Sequence, residues 1–149
     1  MQALLADEKN AMPDQFSPVE RSRIMRLVKS ADTTPELVVR KLVHSMGFRF
    51  RLHVQGLPGR PDLVFSRLGK VMLVHGCFWH RHSCRNGQSL PATRKSYWER
   101  KFTRTIARDR SNIRKLRQAG WSVLVVWECQ TRPAKLTPLR KRLSKFLAG

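Results

Sequence analysis

The chain has 149 residues, room for one domain with a real hydrophobic core and too few for two convincing ones. Lys and Arg number 30 against 10 Asp and Glu, a formal charge of +20 on a chain that is still 41% hydrophobic. The apolar fraction excludes a disordered polycation, and the self-repulsion of so much like charge argues against a neutral metabolic enzyme, leaving a folded domain whose partner is a polyanion.

A membrane is the weaker choice of polyanion, because no apolar run approaches the roughly 18 residues of a spanning helix. The opening stretch MQALLADEKNAMPDQF has acids, a lone lysine and no apolar h-region, so neither a secretory signal nor a transit peptide is read and a cytoplasmic protein is expected. With one lysine against three acids, residues 1–17 carry −2 and leave +22 on the remainder. They read as a flexible acidic tail ahead of a single domain, 18–149.

Ser17-Pro18-Val19-Glu20 has the form of a capping box, with Ser as N-cap, Pro at the first helical position and Glu at the third, and it predicts a basic helix to about Ser30. Thr34-Pro35-Glu36 starts a second helix with an apolar stripe of Val38, Val39, Leu42, Val43 and Met46, and Gly47 stops it. Three strand-like runs follow: Phe48 to Val54, alternating aromatic and basic; Asp62 to Phe65, after the turn Gly56-Leu57-Pro58-Gly59; and Lys70 to His75, nearly all apolar and so central in a sheet. A loop rich in His, Cys and Arg leads to a long helical pattern over Thr93 to Ala119, with room for one break, carrying Trp98, Phe102, Ile106, Ile113 and Leu116 at spacings of three and four. Asp109 lies only about 20° from Trp98 around that helix at 100° per residue, and an acid on a buried stripe needs a reason. Trp121 to Trp127 is a further buried strand, and Thr137-Pro138 caps a basic C-terminal helix. The order ααβββαβα indicates a mixed α/β domain with a central sheet flanked by helices.

Chemistry concentrates in His75-Gly76-Cys77-Phe78-Trp79-His80-Arg81-His82-Ser83-Cys84, which holds three of the five histidines and two of the three cysteines. Cys77, His82 and Cys84, joined by Cys129, make a Cys3His set of the kind that closes a structural zinc site; the competing reading is buried free thiols with incidental histidines. Asp62 opens an apolar strand, where an acid is costly without a cation, and a second core strand follows about a dozen residues later. Nucleases that hold magnesium on a strand aspartate share this layout. Their usual Glu-x-Lys is missing, since the next strand reads Val71-Met72-Leu73-Val74-His75-Gly76.

The chain resembles the very short patch repair (Vsr) DNA mismatch endonucleases, relatives of the restriction-endonuclease (PD-(D/E)xK) fold. The likeness spans about Arg21 to Cys129. It rests on Arg21-Ser22, Thr34-x-Glu36, Leu57-Pro58-Gly59-Arg60-Pro61-Asp62, His75-Gly76-Cys77-Phe78-Trp79-His80, Pro91-Ala92-Thr93-Arg94, Arg108-Asp109-Arg110 and Gly120-Trp121 through Trp127-Glu128-Cys129. The resemblance implies magnesium held by Asp62 and the main-chain carbonyl of Val74, an outer sphere of His75, Glu36 and Asp109, and His80 as general base. It implies zinc on Cys77, His82, Cys84 and Cys129. It also makes Phe78, Trp79 and Trp98 wedges beside the mismatched pair from the major groove, with Met25 and Val28 inserted from the minor groove; without it, Trp98 reads as core.

The function so implied is a magnesium-dependent nick in duplex DNA, 5′ to the thymine of a T:G mismatch, starting repair of deaminated 5-methylcytosine in the bacterial cytoplasm at the nucleoid. A monomer is expected, because a single mismatch lacks two-fold symmetry, and repair proteins are candidate partners. Two rivals remain: a nicking endonuclease of different or relaxed specificity, and a zinc-stabilised DNA-binding module without catalysis. Asp62, Glu36, His75, His80 and Asp109 together speak against the second, since acids near phosphates hinder binding alone. Between Arg94 and Arg117 ten basic residues face two acids, and Arg132 to Lys145 adds six with none. Phosphate contact is the natural use of the first group.

Overall fold

The computed structural model describes residues 17–20 and 31–149. The tail 1–16 and the stretch 21–30, with Met25 and Val28, lie outside the described residues. The predicted capping box is present: the Ser17 N–H donates to Glu20 Oε2 at 2.9 Å and the Glu20 N–H to Ser17 Oγ at 3.2 Å.

Helix α1 spans Thr34–Ser45. Thr33 caps it, Pro35 sits in its first turn, and Gly47 leaves it at φ +89, a conformation glycine adopts without a Cβ penalty. Strand β1 is Leu63–Phe65 and β2 is Lys70–His75, paired antiparallel with Leu63 opposite Met72. Two single-turn helices, α2 (Cys77–His80) and α3 (Arg85–Gln88), occupy the predicted loop. Helix α4, Lys95–Gln118, runs unbroken for 24 residues, so the predicted break is absent. Strand β3, Ser122–Trp127, returns parallel to β2, giving the order β1-β2-β3. Two 3-10 turns, Glu128–Thr131 and Pro133–Lys135, lead into α5, Leu136–Ala148, which puts Thr137 inside the first turn rather than at the cap.

The alternation of Phe48 to Val54 does not make a strand. Arg51 forms an isolated antiparallel bridge to Val64, and His53, at φ +53, turns the chain away two residues later. Phe48 and Phe50 still pack on the core, which accounts for the alternation.

Side-chain alternation sends the sheet's two faces to different helices. Leu63, Phe65, Met72, Val74 and Val126 meet Val39 and Val43 of α1 and Leu139, Leu143 and Leu147 of α5. Val64 and Val71 meet Leu116 of α4. Each of these buried apolar side chains contributes on the order of 1.5–3 kcal/mol. Lys70 ties α5 to the sheet, its ammonium donating to the carbonyls of Phe146 at 2.6 Å and Leu147 at 3.2 Å, where the helix dipole favours a cation. Among the described residues no helix is long and apolar enough to cross a membrane. The fold is thus mixed α/β, a small mixed sheet between helices, with the C-terminal ends of β2 and β3 side by side.

Candidate active site and metal-binding cluster

Asp62 lies just before β1, and its own N–H donates to the Met72 carbonyl at 3.0 Å. Its carboxylate accepts the Val74 N–H at 2.6 Å. Main-chain alternation sends the Val74 carbonyl to the same side as that N–H, and the residue beyond Asp62 there is Pro61, which has no N–H to donate. A carboxylate and an uncommitted carbonyl at one strand end are hard oxygen donors, the set a magnesium-like cation takes. Burial, opposed by the Val74 hydrogen bond and reinforced by the neighbouring Glu36 carboxylate, pushes the Asp62 carboxyl up to about 7. A cation in the site would relieve that cost.

Glu36, in the first turn of α1, is 4% exposed. Its Oε2 accepts the Asp32 N–H at 2.8 Å and the Arg40 guanidinium at 3.3 Å. Arg40 also donates to Asp32 Oδ1 at 2.7 Å, and His53 Nε2 approaches that oxygen to 3.3 Å.

His75 closes β2, and its ring stacks on His80 of α2 at 3.9 Å between centroids, 7° from parallel. The edge of the Trp127 ring covers it as well. Burial, with the neighbouring His80, draws the His75 imidazole down to about 4, so it is neutral at physiological pH. His80 Nδ1 lies 2.6 Å from Asp109 Oδ2. Such a bond fixes the proton on Nδ1 and leaves Nε2 with a free lone pair, as a base held by a carboxylate requires. The acid on the α4 stripe thus has the His80 ring as its partner, a contact that the expected outer-sphere role did not include. The ligand atoms of His75, His80 and Asp109 all lie within 4.8 Å of one another.

The ligand atoms of Cys77, His82, Cys84 and Cys129 likewise lie within 4.8 Å of one another. Cys129 Sγ is 3.5 Å from His82 Nδ1 and Cys77 Sγ is 3.8 Å from it, close to the edge of about 3.6 Å that a tetrahedron with zinc–sulfur and zinc–nitrogen bonds requires. The Cys129 N–H donates to Cys77 Sγ at 3.3 Å, and backbone N–H groups of Gly87 and Asn86 help draw the Cys84 thiol down. Burial pushes the Cys77 thiol up to about 12, the cost a metal would remove. Gly87 is part of this frame: a Cβ there would collide with the His82 carbonyl. The four donors fit a closed soft-metal site.

Phe78 and Trp79 are half-buried on α2, and Trp98 of α4 is 8% exposed. Phe78 meets the rings of Trp79 at 5.0 Å, Phe102 at 5.3 Å and Trp98 at 5.8 Å, in edge-to-face contacts. Trp98 is packed as the helical spacing predicts, beneath Phe78 and Trp79. Lys101 lies over the rings of both tryptophans at 5.2 and 5.3 Å. Arg100, Arg104, Arg108, Arg114 and Lys115 are exposed along α4, and among the described residues none of them forms an ion pair. Sequence reasoning missed Arg40, Asp32 and Gly87, and also Arg81, which takes φ +55, donates to the Ser89 carbonyl and covers Phe102.

A strand-end carboxylate beside a main-chain carbonyl, a histidine held by a carboxylate and a strongly basic helix are parts that a nuclease uses. Residues 13–86 match the family model described as DNA mismatch endonuclease Vsr. The chain is 47% identical over 136 residues to the type II nicking enzyme V.XorIIP of Xanthomonas oryzae pv. oryzae, covering 91% of this chain and 98% of the relative. It is 40% identical over 141 residues to the DNA mismatch endonuclease Vsr of Escherichia coli, covering 93% and 90%. It is 37% identical to the type II nicking enzyme V.NmeAIP of Neisseria meningitidis, covering 91% and 95%. The chain belongs to the Vsr family of DNA mismatch endonucleases and is a DNA endonuclease.

Proposed function

We propose that the protein nicks duplex DNA in Mg2+, 5′ to the thymine of a T:G mismatch, through one endonuclease domain spanning 18–149 and related to the restriction-endonuclease fold. The observation that carries the reading is the end of β2. There Val74 receives the Asp62 carboxylate on its N–H, and the next residue, His75, stacks on the His80 held by Asp109. Two consecutive residues of one buried strand thus meet a carboxylate, Asp62, and a histidine base, His80, that has its own carboxylate, Asp109.

In this reading Asp62 and the Val74 carbonyl hold the divalent cation, which when bound supplies charge neutralisation for the scissile phosphate and the departing oxygen. His80 accepts the proton of the attacking water at Nε2, with Asp109 stabilising the imidazolium that forms. His75 and Glu36 hold water around the cation, His75 as a neutral imidazole. Zn2+ belongs to Cys77, His82, Cys84 and Cys129, closing the loop between α2 and α4 onto the end of β3. Phe78 and Trp79 press on the base pair above Trp98, with Met25 and Val28 on the opposite groove. Unstacking is cheapest at a mismatch, so wedges select it by deformability as well as by base identity.

End-labelled duplexes carrying T:G, U:G or a fully paired control, incubated with and without Mg2+, test this. A nick 5′ to the thymine of T:G, dependent on Mg2+ and weak on paired DNA, is expected. Equal cutting of the paired control overturns the specificity, and binding without any cut overturns the catalytic reading.

A further inference from the structure

Arg40 belongs to no motif of the sequence, yet its side chain is 13% exposed and sits between two acids. One nitrogen, Nη2, reaches both Asp32 Oδ1 at 2.7 Å and Glu36 Oε2 at 3.3 Å, while its Nε is buried without a partner among the described residues. An i,i+4 ion pair on a solvated helix face contributes little and needs no burial, so helix stability alone is a poor reason for this arrangement. The contacts around it are specific. The Asp32 N–H donates to the same Glu36 oxygen at 2.8 Å, and His53 approaches Asp32 Oδ1 at 3.3 Å. Asp32 and His53 both have left-handed backbone, φ +57 and +53, which side chains other than glycine adopt at a cost. Two strained residues meeting at one carboxylate, one bond from Glu36, indicate a geometry held for use.

We propose that Arg40 is a positioning residue for DNA nicking: it locks the Glu36 carboxylate in place, with Asp32, itself approached by His53, anchoring the guanidinium. The proposal rests on the reading above, in which Glu36 serves the cation's water shell. In this role Arg40 acts through Glu36, the carboxylate it holds. A guanidinium suits the task because its nitrogens are set in a rigid plane, whereas a lysine ammonium would supply the charge without the plane.

The test compares the parent, Arg40→Gln, Arg40→Lys and a stability control, Val43→Ala, which opens a cavity beneath α1 one turn from Arg40 and removes none of the network's hydrogen bonds. In single-turnover nicking of the T:G duplex with Mg2+, Arg40→Gln is expected to lose about 10- to 100-fold in rate, the scale of a misplaced group, while duplex affinity stays at the parent value. Arg40→Lys recovers part of the rate. Amide NMR of the protein without Mg2+ gives a readout independent of activity: the Asp32 N–H resonance moves upfield and exchanges faster in Arg40→Gln and is unchanged in Val43→Ala. A parental rate in Arg40→Gln, or an equal rate loss in Val43→Ala, overturns the positioning role alone. A parent that fails to nick in Mg2+ overturns the reading beneath it, and the positioning role with it.

Discussion

Asp62→Asn is expected to abolish nicking and at the same time to stabilise the protein. The carboxyl is buried beside Glu36 and its midpoint moves from 3.8 to about 7 on folding. Holding it ionised in the folded chain at pH 8 therefore costs on the order of 4 kcal/mol. Asparagine is nearly isosteric, keeps an oxygen for the Val74 N–H and offers Glu36 a donor in place of a like charge. The variant should gain about 2–4 kcal/mol at pH 8, or very roughly 5–15 °C in melting temperature for a chain of this size. Between pH 4 and 7 the folded parent holds a proton at Asp62 that the unfolded chain has lost, so this contribution falls as pH rises and levels off above 7. His75 does the opposite: drawn down to about 4, it refuses a proton that the unfolded chain binds, so its contribution climbs from pH 4 to about 6.5. The two nearly cancel in the parent, and Asp62→Asn unmasks the climb. Urea denaturation at intervals from pH 4 to 8, with Mg2+ omitted and no chelator present so that any metal on the thiol cluster is retained, measures the difference. It should start near zero at pH 4 and widen to its full value by pH 8. A variant no more stable than the parent at pH 8 would refute the account of Asp62 as a cation site costly when empty.

Asp109→Asn should leave folding and duplex affinity intact while lowering the nicking rate by about 10³–10⁴-fold, because His80 loses the carboxylate that fixes its tautomer; a loss below tenfold would remove Asp109 from that role. Protein purified without chelator should carry one zinc per chain by elemental analysis, and Cys129→Ser should lose most of it; a metal-free parent that is still folded contradicts the Cys3His site. Gly87→Ala should cost about 1–3 kcal/mol by overpacking and raise the reactivity of Cys84 toward thiol reagents, since the His82 carbonyl must yield; unchanged melting and unchanged thiol reactivity would count against the close approach. Leu143→Ala, fully buried in the larger core cluster, should cost about 2–5 kcal/mol in urea denaturation without altering the nicking rate at low temperature.

Much of this was legible in the sequence because it is written locally. The cap Ser17, the stripe of α1, its stop at Gly47 and the apolar run of β2 each depend on neighbours within a turn or two, although the cap of α1 falls on Thr33, one residue before the Thr34-Pro35-Glu36 start. The thiol cluster was legible because its spacing leaves no cysteine over, and Asp62 because an acid at the head of an apolar strand is conspicuous. What stayed hidden depends on tertiary approach. Arg40 looks like any basic residue on an exposed helix until Asp32 and Glu36 close around it, and Gly87 looks like a turn residue until the His82 carbonyl is placed against it. The false strand over Phe48 to Val54 shows the converse: alternation records which side chains meet the core, and His53's left-handed backbone overrides it. The match of Trp98 to a DNA wedge and its helical spacing both bear on one side chain that is buried beneath the two aromatics more exposed than itself.

The thiol cluster has a bearing on how the chain finds its pairing. Strands β2 and β3 pair in parallel with Lys70 opposite Ser122 and His75 opposite Trp127, a constant offset of 52 residues that recurs between Cys77 and Cys129. The two sulfurs therefore continue the ladder where its hydrogen bonds end. Parallel strands rich in Val and Leu discriminate poorly between neighbouring registers, yet a slip by one residue carries Cys129 about 3.3 Å along the strand, out of reach of a shared tetrahedral ion. A metal ion on these four donors would thus check the alignment of the two strands after a long and slowly closed crossover, and the same alignment sets His75 under Trp127 and against His80.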